Sequence, residues 1–157
     1  RVNPLTVPML IPDAAAGQVA IDLGLQGGAH TPVSACASGA EALMLAQWLL
    51  QDDRADLVLA GGSEAPVNRL GLVGFSAMRA LSLRNEAPEQ ASRPYGQERD
   101  GFVLSEGAGI LALMRQSDVP AGDALAGAPM QDHGYTHSVE SMILLISTKI
   151  INSITIV

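Results

Sequence analysis

The run Asp56-Leu57-Val58-Leu59-Ala60-Gly61-Gly62 constrains the fold of this chain more than any other stretch. Its unbroken apolar residues stop at two glycines, the pattern of a strand buried within an α/β body. Ahead of it, from Ala37 to about Leu50, the apolar residues Ala42, Leu43, Leu45, Ala46, Leu49 and Leu50 recur at helical spacing, and Asp52, Asp53 and Arg54 close that helix. A further helix is expected over about Leu70 to Arg79, and strands over Phe102-Val103-Leu104 and Ala108 to Met114, around Gly107. Nearer the start, Pro12-Asp13-Ala14 opens a helix that stops near Gly24 or at Gly27-Gly28, and His30 to Ala35 forms a short extended run. Helices and strands alternating in this way place the body among α/β folds.

Small residues dominate that body. Only 3% of the chain is aromatic, while Gly and Ala are abundant, which favours close packing of helices on a sheet over a core built around large rings. A length of 157 residues fits one domain, and a net charge of −7 argues against nucleic acid as a general partner. The single cysteine excludes an intramolecular disulfide, and a cytoplasmic thiol is the simplest reading. No targeting pattern is visible, and Arg1-Val2-Asn3-Pro4 reads like the interior of a protein. The composition changes near residue 138: Ser138 to Val157 is rich in Ile, Ser and Thr and contains no Gly or Ala. Met142 to Val157 is too short to span a membrane and carries Lys149. We therefore divide the chain into a body, residues 1–127, and a divergent tail, residues 128–157, expected to stand apart from the body's fold.

Chemistry concentrates at Ser34-Ala35-Cys36-Ala37-Ser38-Gly39, where the extended run gives way to a helix. A thiol there faces the unsatisfied N–H groups and the positive end of the helix dipole, which favour the thiolate. The backbone N–H of Cys36 is placed to serve as one donor of an oxyanion hole for a thioester carbonyl. Ala35, Ala37 and Gly39 leave room for a substrate. The competing reading is a buried structural cysteine, since free cysteine is among the most buried residue types.

The longer string Pro32-Val33-Ser34-Ala35-Cys36-Ala37-Ser38-Gly39-Ala40-Glu41-Ala42 closely resembles the active-site segment of β-ketoacyl-[acyl-carrier-protein] synthases. Further segments follow in that family's order: Ala55 to Gly62, Phe75-Ser76-Ala77-Met78-Arg79-Ala80-Leu81-Ser82, and Ala91-Ser92-Arg93-Pro94-Tyr95 through Arg99-Asp100-Gly101-Phe102-Val103-Leu104, with Glu106-Gly107-Ala108-Gly109 completing the set. The resemblance extends from Arg1 to about Leu113 and is strongest to the type that elongates medium and long fatty-acyl chains. It implies a thiolase-like fold, layered α/β/α/β/α, of which this chain is part of the N-terminal half, and a homodimeric intact enzyme. It also implies acyl carrier protein as partner, acyl and malonyl thioesters as substrates, and no metal or dissociable cofactor.

Residue roles follow from the same resemblance. Cys36 matches the acyl-carrying nucleophile. Phe75 and Phe102 match aromatic positions near the acyl channel, and Gly71 a position where a small residue keeps the channel open; the alternative for all three is plain core packing. Arg79 and Arg84 match a basic face that meets the acidic carrier, the alternative being two solvated charges. An acidic chain that docks an acidic carrier needs such a local basic patch.

The sequence departs from the family in its histidines. The His-Gly-Thr and Gly-His motifs of the family's second half do not occur, and His30, His133 and His137 lack the matching surroundings. The expectation is an incomplete copy of a condensing enzyme. Rival readings are a polyketide ketosynthase domain, a chain-length-factor-like partner subunit, against which Cys36 counts, and an inactive truncated product.

Overall fold

The structure is a computed structural model and describes residues 3–119, 142–144 and 154–156. It divides into two compact units, residues 1–62 with 109–157, and residues 63–108. In chain order the elements are α1 (Thr6–Leu10), α2 (Ala14–Leu23), α3 (Ser38–Gln51), β1 (Leu57–Glu64), α4 (Arg69–Ala77), β2 (Gly107–Arg115), β3 (Met142–Leu144) and β4 (Ile154–Ile156).

The first unit is a sheet with α3 packed on it. The sheet order is β3-β2-β1-β4, with β4 parallel to β1 and β3 antiparallel to β2. The registers pair Leu57 with Ile154 and Leu113 with Leu144. Of the compositionally distinct tail only β3 and β4 are described, and both join this sheet; the remainder, with His133 and His137, lies outside the described residues.

The core explains why α3 and β1 were legible. Ala42, Ala46, Leu49 and Leu50 from α3 pack with Ala55, Val58, Ala60 and Leu113, and Leu43, Leu45 and Leu111 close the edges. Alanines one helical turn apart let the helix approach the strand closely. Leu50, Val58 and Leu113 are the largest fully buried side chains, each contributing about 1.5–3 kcal/mol of hydrophobic stabilisation. Approach is closest at the glycine end of β1. A Cβ built on Gly61 would lie 2.0 Å from the Gly109 carbonyl oxygen, so only glycine fits there. One on Gly62 would lie 3.7 Å from the Gly39 Cα, which puts the first turn of α3 directly over this end of the strand.

Arg115, at the end of β2, ties the far side together. Its guanidinium donates to the carbonyls of Leu50 and Ala55, each at 2.9 Å, and to Asp56 Oδ1 at 2.9 Å, and it pairs with Asp53 and Asp118. Desolvation by burial works against its charge, but the Asp56 hydrogen bond and the charges of Asp118 and Asp53 prevail and hold its pKa above the usual value.

Helix ends follow local chemistry. Gly24 ends α2 with φ 65°, its N–H donating to the Ile21 carbonyl while Leu25 N–H donates to Ala20, a Schellman closure. α1 was not anticipated: it is five residues long and carries Pro8 in its first turn, where the missing N–H costs no hydrogen bond.

Two expected strands are absent. Of the run His30 to Ala35, residues 30–34 are irregular and Ala35 opens a 3-10 turn, and Phe102-Val103-Leu104 contributes only an isolated parallel bridge, Leu81 to Phe102. β-branched and aromatic residues suit a strand, but an extended segment becomes one only when a neighbour completes its ladder.

Candidate functional site

In the first unit, Cys36 sits in a 3-10 turn, Ala35–Ala37, that feeds directly into α3, and its side chain is exposed. In this chain the thiol is therefore not buried. The expectation of a helix start is met by this turn, but the strand expected immediately before it is replaced by irregular backbone. Ala35 is in the left-handed region at φ 52°, uncommon for a residue with a Cβ. It turns the chain between the irregular segment before it and the helix.

The Ser38 hydroxyl holds this bend. It donates to the Ala35 carbonyl at 2.8 Å and accepts from the Ser34 N–H at 3.0 Å, while Ala37 N–H donates to the Ser34 carbonyl at 3.1 Å. A serine at a helix start usually caps the first free N–H groups. Here no side chain caps α3, and the N-cap position is Ala37. The positive end of the helix beside the thiol therefore keeps N–H groups that no side chain caps.

The other five residues singled out lie in the second unit, and the structure brings two of them together. Phe75 and Phe102 meet edge to face, with ring centroids 6.5 Å apart and planes at 78°. Phe102 remains 64% exposed, so the pair is not sealed in a core. Gly71 lies in the first turn of α4, where its N–H donates to the capping Asn68 Oδ1 at 2.9 Å. A Cβ there would fall 2.1 Å from the Pro66 carbonyl oxygen, so within this unit the glycine answers a backbone approach. Glu106 accepts from the Val67 N–H at 3.1 Å and braces the same loop.

Arg79 follows α4 at φ 55°, with its N–H on the Ser76 carbonyl and Ala80 N–H on Phe75, a Schellman closure built on arginine instead of glycine. Its side chain is exposed, that of Arg84 is half-buried, and among the described residues neither forms an ion pair.

Sequence reasoning missed the network behind Phe102. Asp100 accepts from Ser82 Oγ at 2.8 Å, Leu83 N–H at 3.2 Å and Arg93 Nη2 at 3.0 Å. The Ser82 hydroxyl chiefly, against some desolvation and with help from Leu83 N–H and Arg93, holds its carboxyl below the usual 3.8. Gly101, at φ 147°, brings the chain so close to Leu81 that a Cβ would lie 2.5 Å from that backbone. An open cleft of about 520 Å³ runs between Arg93, Arg99 and Phe102; it belongs to the second unit and Cys36 does not line it. The acid, arginine and glycine in the segment from Arg93 to Gly101 were the available signal, because that mixture in an aperiodic stretch points to a hydrogen-bonded loop. Among the described residues no helix is long and apolar enough to cross a membrane.

An exposed thiol at a helix start, close glycine contacts and an α/β architecture are compatible with an acyl-condensing enzyme. Residues 1–119 match the β-ketoacyl synthase N-terminal domain, and the chain belongs to that family. It is 46% identical over 136 residues to 3-oxoacyl-[acyl-carrier-protein] synthase 2 of Staphylococcus aureus, covering 87% of this chain and 34% of that protein. The synthase of the same name from Rhizobium meliloti (strain 1021) is 47% identical over 114 residues, or 72% of this chain and 27% of that one. The chain thus spans about a third of the length of the curated relatives it matches. Among solved structures, a β-ketoacyl synthase from Burkholderia phymatum STM815 aligns at TM-score 0.65 and 32% identity over 71% of this chain and 27% of that one. A type II polyketide ketosynthase bound to the hexaketide and in complex with its acyl carrier protein aligns at 0.63 and 38% over 74% of this chain and 29% of that one. The thiolase-like α/β expectation accordingly holds for the part of the fold this chain supplies.

Proposed function

We propose that this chain carries the acyl-loading half-reaction of a 3-oxoacyl-[acyl-carrier-protein] synthase in fatty acid biosynthesis, an acyltransferase with Cys36 as nucleophile. The single observation that carries this reading is the exposed thiol on a held bend at the uncapped start of α3. The Cys36 thiolate attacks the carbonyl of an acyl thioester, a new C–S bond forms, and the carrier's thiolate leaves and takes up a proton. In the complete reaction malonyl-carrier protein loses carbon dioxide, its carbanion attacks the Cys36 thioester, and the cysteine thiolate departs from the 3-oxoacyl product. Splitting the condensation in this way is ordinary covalent catalysis.

Arg79 and Arg84, exposed and half-buried without ion pairs among the described residues, are the docking charges for the acidic carrier in this reading. Gly71, Phe75 and Phe102 border the acyl chain. Neither metal nor organic cofactor takes part, and the setting is cytoplasmic. In this reading the intact enzyme is a homodimer, as the family resemblance implies. The polyketide ketosynthase neighbour supports a second reading, in which the same nucleophile accepts polyketide chains.

Intact-mass measurement after incubation with acyl-carrier protein tests the reading. One acyl adduct on the parent chain and none on Cys36→Ala is expected. No 3-oxoacyl product should form when malonyl-carrier protein is added, because the two histidine motifs that stabilise the decarboxylation transition state in the family do not occur in this sequence. An adduct that survives Cys36→Ala refutes the nucleophile. A preference for polyketide over saturated acyl carriers would select the second reading.

A further inference from the structure

We propose that Ser38 is a positioning residue whose hydroxyl holds Ala35 in its left-handed conformation and thereby sets the exposure and reactivity of Cys36. The proposal rests on Cys36 being the nucleophile. It deepens that reading by naming a residue that touches neither substrate nor thiol.

Three observations carry it. Ala35 stands at φ 52°, a region alanine seldom occupies without outside support. The Ser38 Oγ bonds both sides of that residue, donating to its carbonyl at 2.8 Å and accepting from the Ser34 N–H at 3.0 Å. The hydroxyl that would ordinarily cap α3 is thus turned backwards, and no other side chain caps the helix. Among the described residues only the Ala37 N–H to Ser34 carbonyl bond, at 3.1 Å, otherwise closes the bend, and it does not engage the Ala35 carbonyl. Without the hydroxyl, Ala35 has a route to ordinary negative φ, which turns the following peptide and carries Cys36 away from the helix start. Among the described residues the Ser34 hydroxyl is buried without a partner, so it adds no further side-chain anchor to the bend.

Because the chain has one cysteine, alkylation by iodoacetamide reads Cys36 alone. The full chain and its variants are compared at fixed neutral pH, with the rate in denaturant as each variant's internal reference. Ser38→Ala is expected to slow native alkylation about tenfold, equivalent to about 1.4 kcal/mol. Ser38→Thr, which keeps the hydroxyl, should stay near the parent rate. Adding Ala35→Gly to Ser38→Ala should restore most of the loss, because glycine adopts positive φ without the clamp. A Ser38→Ala rate equal to the parent's overturns the proposal. So does a slow Ser38→Ala that Ala35→Gly fails to rescue, since that pattern reports general loosening of the helix start. If Ser38→Ala unfolds, the Ser38→Thr and double-variant rates decide by the same criteria. Alkylation uses no acyl donor, so its outcome is independent of whether acyl-carrier protein loads Cys36.

Discussion

Replacing Gly61 with alanine tests the close approach on which the first unit is built. The added Cβ would meet the Gly109 carbonyl oxygen at 2.0 Å and the Gly109 carbon and Ile110 Cα at 2.9 Å each, all of them backbone atoms. No side chain is available to swing aside, so β1 and β2 must part or the strand must buckle. Overpacking of this kind costs about 1–3 kcal/mol, and each backbone hydrogen bond stretched out of the ladder adds about 1 kcal/mol. The sum, about 3 kcal/mol, is a large share of the 5–15 kcal/mol that holds a typical domain. Urea unfolding followed by circular dichroism should show the midpoint falling by about 1–3 M at the usual slope for small proteins. Two controls carry the same chemical change. A Cβ at Gly109 meets nothing within 4 Å, so Gly109→Ala should leave the midpoint within about 0.5 kcal/mol of the parent. Gly17, inside α2, also has open space, and Gly17→Ala should raise stability by about 0.5–1 kcal/mol through helix propensity. A Gly61→Ala midpoint equal to the parent's, or equal losses at Gly61 and Gly109, would refute the close-approach argument.

Asp100 gives a pH dependence. Its folded pKa lies below 3.8, so its stabilisation is present above that value and is lost as pH falls through the folded one. The stability gap between the parent and Asp100→Asn, measured by thermal melting, should be open at pH 6 and narrow as pH falls below 3.8; a gap independent of pH would show that the charge is not what matters. Arg79→Gly should raise the melting temperature, because it relieves a residue held at φ 55° by about 1 kcal/mol, yet weaken loading from acyl-carrier protein relative to loading from a small thioester. Equal loss with both donors would make Arg79 purely structural.

What the sequence made legible was whatever a side-chain pattern encodes. The α3 stripe of Ala42, Ala46, Leu49 and Leu50 and the apolar β1 run predicted their elements and the core they share. Gly24 announced the end of α2 because glycine at a helix end carries a conformational meaning. Ala35 and Arg79 carry none, so their left-handed turns, which shape the nucleophile's bend and the end of α4, could not be foreseen. Thr31–Ser34 misled for a different reason: Thr31 and Val33 favour extended backbone, but strand pairing depends on a neighbour that no local sequence names. Cys36, Phe75 and Phe102 were visible as types, whereas Ser38 looked like an ordinary helix-start serine until its bonds were seen to run backwards.

The distribution of these residues separates chemistry from selection. Everything that fixes the thiol is local to the first unit: Ala35, Ser34 and Ser38 form the bend, and Gly39, Gly61 and Gly62 seat the helix over the end of β1. The groups assigned to chain and carrier recognition, Gly71, Phe75, Arg79, Arg84 and Phe102, all belong to the second unit. That unit is braced separately by Asp100 with Ser82 and Arg93, by Glu106 on Val67, and by the Gly101 contact. In the proposed reading, the residues that hold Cys36 and those proposed for recognition are thus separate sets, so each can be varied without removing a hydrogen bond named for the other.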